Sequence, residues 1–172
     1  MNVYTATFQI KEYLACYLEA KWGVEIRTVN KITQEEDIRL IIQFPPDVIF
    51  YHLIANLSQK RPKNVHTIYG NIEIRVPRIK DVKNKKPETH NFINKKNAEI
   101  FEKKLDSFFK AEMNEFMDTK KHEEGMTYKD ASYLFLSKYG IDDDLYQPDS
   151  VRRHHARWRD KVRPRSKSYT RR

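Results

Sequence analysis

Ten of the 33 Lys and Arg residues in this chain fall between Val151 and Arg172, where one acid, Asp160, opposes them. That segment therefore holds +9, the net charge of the whole chain. Residues 1–150 carry twenty-three Lys and Arg against twenty-three Asp and Glu, which is zero. The ten are Arg152, Arg153, Arg157, Arg159, Lys161, Arg163, Arg165, Lys167, Arg171 and Arg172. A guanidinium clamps phosphate or forks onto a guanine edge with paired N–H donors, whereas an ammonium acts as a point charge. A neutral body with a polycationic end implies a polyanionic partner met through that end. These ten residues form the candidate nucleic-acid-binding set.

Other reactive side chains do not fall into patterns that carry chemistry. The six histidines, His52, His66, His90, His122, His154 and His155, make no HExxH or Cys/His ligand spacing. His122-Glu123-Glu124 are adjacent and so do not share a helix face. Asp142-Asp143-Asp144 could draw a divalent cation towards a phosphate, although acid runs in loops more often serve turns and caps. No Ser–His–Asp arrangement has a recognisable context, and no GxGxxG or GxxxxGK[ST] string occurs. The expectation is a protein that is not an enzyme, with no catalytic residue, metal or cofactor. The single cysteine, Cys16, excludes an internal disulfide and reads as a small buried side chain. MNVYTATFQIKEYL lacks the basic start and apolar core of a secretory signal, and no run approaches the ~18 apolar residues of a membrane span. The expected location is cytoplasmic, in a bacterial host or a virion, with no membrane partner.

The elements that must position these residues read as α+β. Ile10, Tyr13, Leu14, Tyr17 and Leu18 give a helix over 8–22, with Gly23 as a left-handed stop. Strands are expected at 24–29 and 37–44, the second with Ile38, Leu40, Ile42 and Phe44 on one face. Pro45-Pro46 ends it and opens a helix over 47–60, whose apolar side is Val48, Ile49, Tyr51, Leu53, Ile54 and Leu57. VHTIY and IEIRV flank Gly70-Asn71 and predict a hairpin. Residues 1–78 thus form a small α+β unit. Residues 79–96 read as a polar linker with Lys83, Lys85 and Lys86 in solvent. A long amphipathic helix covers 97–120, striped by Ile100, Phe101, Leu105, Phe108, Phe109, Met113, Phe116 and Met117. Part of that stripe is expected on the first unit and the surplus in a seam between copies, making a homo-oligomer or part of a larger assembly.

Residues 126–162 predict a helical pair. Thr127 and Asp130 make a capping-box-like start; Tyr128, Ala131, Leu134, Phe135 and Tyr139 give the apolar side; Gly140 stops the helix and Ile141 plugs back. DDDLYQP connects, with Leu145 as anchor. Pro148, Asp149 and Ser150 open a second helix, in which Val151, His155, Trp158 and Val162 make one stripe and arginines cover the rest. This arrangement resembles the helix-turn-helix DNA-binding modules of small phage and mobile-element proteins. The resemblance implies that the second helix lies against DNA. It covers about 37 residues, its connection exceeds the usual ~3–4 residues, and Asp142–Asp144 would lie near phosphate. The basic tail, 163–172, reads as an arm for a minor groove or an RNA strand. The function that follows is a DNA-binding regulator or accessory subunit of a phage or mobile-element nucleoprotein complex, with DNA favoured over RNA. Two alternatives remain open. One is a virion or assembly protein whose tail docks on a neighbouring subunit or packaged nucleic acid. The other is an RNA-binding component, with Trp158 and Tyr169 stacking on bases.

Overall fold

The structure is a computed structural model that describes residues 3–29, 36–65, 69–78 and 85–163. Its elements in chain order are β1 (Thr5–Phe8), α1 (Glu12–Trp22), β2 (Gly23–Val29), β3 (Glu36–Ile42), α2 (Ile49–Leu57), β4 (Ile72–Arg75), α3 (Lys95–His122), α4 (Tyr128–Lys138) and α5 (Pro148–Val162). This is an α+β fold with a long central helix. The chain divides into two units after Ser107, within α3. Among the described residues no helix is long and apolar enough to cross a membrane.

In the first unit the strand order is β1-β4-β3-β2. β1 was not among the expected strands, and the expected helix over 8–22 overlaps it only at Phe8. TATF instead alternates Ala6 and Phe8 inward with Thr5 and Thr7 outward, the period of a half-buried strand. β1 pairs antiparallel with β4, so that Ala6 meets Ile74 and Phe8 meets Ile72 on the buried face. β3 lies on the other side of β4, parallel to it through Ile42 and Ile74. Both edges of β4 are therefore taken; the strand expected at 65–69 falls mostly on His66, Thr67 and Ile68, which lie outside the described residues. Gly70 has a different task. A Cβ there would stand 2.3 Å from the Phe8 carbonyl carbon, so the backbones approach as only glycine permits. Asn71 seals the approach by accepting from Ile10 N and donating to Ile10 O.

α1 passes directly into β2 without a left-handed residue: Gly23 has φ −68° and ψ 134°. The β3 face also departs from its pattern. Ile41 and Ile42 are buried, but Ile38 and Leu40 are 53% and 44% exposed, because no described element covers the outer part of the β2–β3 hairpin. On α2 the core residues are Phe50, Ile54 and Ala55, and Ile49 is exposed. Phe50 joins Phe44, Trp22 and Phe101 in a set of tilted and edge-on rings with centroids 5.0–6.3 Å apart, and Phe8 stands edge-on to Phe101 at 5.4 Å. The described part of the expected linker is packed. Ile93 and Pro87 are buried, and Gln59 bridges to Phe92. Lys85 donates to the carbonyls of Asn56 (2.6 Å), Ser58 (3.1 Å) and Ala55 (3.4 Å), which satisfies the C-terminal end of α2.

The second unit holds the later part of α3 with α4 and α5. Phe109, Met113 and Met117, wholly buried, continue the i+4 row begun by Phe101 and Leu105 in the first unit. Phe135 of α4 lies 5.4 Å from both Phe109 and Phe116, and Tyr146 lies edge-on to Phe109. Phe108 and Phe116, on the same stripe, are half-buried. Ile100, at one margin of the stripe, is exposed.

Candidate nucleic-acid interface

α4 is held at both ends by backbone chemistry that its sequence announces. Thr127 Oγ1 accepts from Asp130 N at 3.1 Å. At the other end Gly140 takes φ +60°, Gly140 N donates to Ser137 O, and Ile141 N donates to Leu136 O at 3.0 Å. This is a Schellman stop with Ile141 buried as its plug. The buried side is Ala131, Ser132, Phe135, Leu136 and Tyr139, while Leu134 is exposed. Burial pushes the Tyr139 hydroxyl well above its ordinary value, helped by its hydrogen bond to Glu112. The nine residues 139–147 then lead to α5. Leu145 and Tyr146 are both half-buried, and Asp142, Asp143 and Asp144 are exposed.

Pro148 opens α5 in the first turn, where a missing N–H is harmless. Val151 and His155 are its buried anchors; Trp158 is half-buried and Val162 is 56% exposed. His155 Nε2 lies 3.0 Å from Asp118 Oδ1 on α3. Burial lowers the His155 pKa from its ordinary value, outweighing Asp118, with Arg159 and His122 acting in the same direction as burial. An ionised carboxylate only accepts, so the ring donates its Nε2 proton to Asp118. The Tyr128 ring lies tilted against this imidazole at 4.8 Å, and Trp158 stands 5.6 Å away on its own helix.

The arginines divide around these anchors. At roughly 100° per residue, Arg152, Arg159 and Arg163 fall on one flank of α5 and Arg153, Arg157 and Lys161 on another. The first flank is engaged within the chain. Arg152 pairs with Asp149 and has a buried Nε; the pairing holds the Asp149 carboxyl below its ordinary value. Arg159 lies 5.4 Å over the Tyr128 ring, with Lys121 at 5.8 Å from the same ring. Arg163 reaches Asp118 at 3.6 Å. The second flank is exposed, and among the described residues Arg153, Arg157 and Lys161 have no ion pair. Their i, i+4, i+8 spacing makes a cationic row about 12 Å long. Arg165, Lys167, Arg171 and Arg172 lie outside the described residues.

Sequence reasoning did not find Asp118 or Tyr128, which contact α5 through His155 and Arg159. The signal was His155 itself. A histidine on an apolar stripe needs an acceptor when buried, and that acceptor has to come from a facing helix. Among the described residues no group of three or more His, Cys, Asp or Glu side chains is placed to hold a metal ion. No family model, curated protein or solved structure matches this chain.

Proposed function

We propose that this chain is a nucleic-acid-binding protein that docks on duplex DNA through the α5 row Arg153, Arg157 and Lys161, with the basic residues after Arg163 extending the contact. The observation that carries this reading is the division of the arginines. One flank is engaged within the chain, and the other is left as an exposed cationic row with no ion pair among the described residues. A rigid helix can enter the major groove of B-DNA, about 12 Å wide, but not the deep, narrow major groove of RNA, which is why DNA stands ahead. The row supplies backbone positioning, and a single Arg153 or Arg157 fork supplies base reading where there is sequence preference. The likeness of residues 126–162 to helix-turn-helix modules supports a role as regulator or accessory subunit of a nucleoprotein complex.

The test is fluorescence anisotropy with labelled duplex DNA, single-stranded DNA and RNA over a salt series. The full chain is compared with a chain ended after Arg163, which keeps the core residues Val151 and His155. Tight, salt-steep, duplex-preferring binding that weakens on shortening supports the proposal. No binding to any of the three at about 150 mM salt sinks it. A second reading, as an assembly component, has its own support. Val24, Ile38 and Leu40 leave apolar surface on the hairpin at the outer edge of the sheet, where a second copy could pair. A monomer by light scattering at working concentration removes that reading.

A further inference from the structure

The first unit contains a cleft of about 710 Å³, within the range of about 300–1,000 Å³ that small-molecule sites occupy. Its walls are mainly apolar: four prolines, Phe44 and the rings of Tyr4 and Tyr51. Two polar features break that surface. Arg75 donates to Gln43 Oε1 at 2.7 Å. This bond uses the acceptor of the Gln43 amide and leaves its NH2 group, with further guanidinium N–H groups, to donate. Arg75 has no carboxylate partner among the described residues, so the cleft offers paired donors and one uncompensated positive charge, the combination that holds an oxyanion. The second feature is Glu88. It lines the cleft with a side chain 32% exposed; one oxygen takes Arg78, and Oε2 has no hydrogen-bond partner among the described residues. A buried acceptor left open is costly until a donor reaches it.

We infer that this cleft binds a nucleotide: an oxyanion at Arg75 and Gln43, a planar ring against Tyr4, Tyr51 and the prolines, and an amino N–H of the base at Glu88. An aminobase nucleotide carries all three parts in one molecule. Stacking on tyrosine is open to every base, since each has a π-face, and the Glu88 acceptor selects bases that bear an exocyclic amine. The same chemistry is presented by a free mononucleotide and by the 5′-phosphorylated end of a strand. The site is separate from the α5 row and does not depend on it.

Isothermal titration calorimetry of the full chain with AMP, N6,N6-dimethyl-AMP, adenosine and inorganic phosphate tests the assignment. AMP is expected to bind saturably below about 1 mM. Removal of the phosphate, or methylation of the amine, should each weaken binding about tenfold or more. Arg75→Met should match the loss seen with adenosine. Arg153→Ala/Arg157→Ala/Lys161→Ala should leave AMP binding unchanged, which separates this site from the duplex contact. Tyr51→Leu, which keeps apolar bulk, should lose the stacking share alone. A 5′-phosphorylated oligonucleotide that binds more tightly than AMP, with the same Arg75 dependence, assigns the strand end as the source; equal binding assigns the free nucleotide. The inference is overturned if AMP shows no saturable binding, if inorganic phosphate binds as well as AMP, or if Arg75→Met leaves the affinity intact.

Discussion

Replacing Arg153, Arg157 and Lys161 together with alanine tests the division of the arginines quantitatively. Each phosphate that a cation neutralises on duplex DNA contributes about 0.9 to the slope of log affinity against log salt. Removing three such cations should therefore reduce the magnitude of that slope by about 2.7. The ratio of wild-type to variant affinity should then shrink about fortyfold between about 50 and 200 mM salt. Arg152→Ala/Arg159→Ala is the matched control. It removes two cations from the same helix, but these are committed to Asp149 and to the Tyr128 ring, and the slope should change by less than about one. Anisotropy at five salt concentrations measures both slopes. Thermal unfolding checks that the exposed triple variant stays within about 0.5 kcal/mol of wild type. If the folded triple variant keeps its slope, or if the control carries the larger change, the assignment of the exposed row is wrong.

Three further outcomes follow from the packing. His155 has a lowered pKa in the folded chain, so the unfolded chain takes up its proton first as pH falls. Stability is full above about 6.5 and declines as pH drops towards the folded value, and His155→Gln should flatten that part of a melting-temperature profile. Asn114 is buried at 3% exposure and its Oδ1 has no partner among the described residues, so Asn114→Leu should raise stability by about 1 kcal/mol in urea unfolding. A loss of that size instead would show that the amide is held. Lys85→Met should cost about 1 kcal/mol by leaving the end of α2 unsatisfied, and should do so without altering affinity for DNA.

Where the sequence was legible, the signal was local. Thr127 with Asp130, Gly140 followed by Ile141, and Pro148 each specify a backbone event within a few residues, and each stands where its type demands. Alternation within IEIR marks β4 as a strand for the same reason. Partners across the chain were not legible. β4 pairs with β1, nearly seventy residues earlier, and this pairing brings Phe8 to a core where it meets Phe101. The helical reading of 8–22 failed at its start for a related reason. Period 2 over four residues is short, and only the ladder to β4 shows that it is real. Lys85 read as a solvated lysine because the carbonyls it caps belong to residues 55–58.

The same distinction governs the candidate interface. Ten cations against one acid in the last twenty-two residues raise the expectation of a polyanionic ligand. Composition cannot assign work to individual arginines, because charge adds along a chain whereas contact depends on phase. The two buried anchors, Val151 and His155, set the phase of α5, and from them the row Arg153, Arg157 and Lys161 could be placed on a wheel as solvent-facing. The engaged flank required knowing what lies beside the helix: Asp118, thirty-seven residues before His155, and Tyr128, whose ring receives Arg159. An arginine that fixes its own helix is unavailable to a phosphate unless that fixation is given up. In a charge-rich helix, the cations nearest the buried anchors are therefore the ones to subtract before a binding surface is drawn.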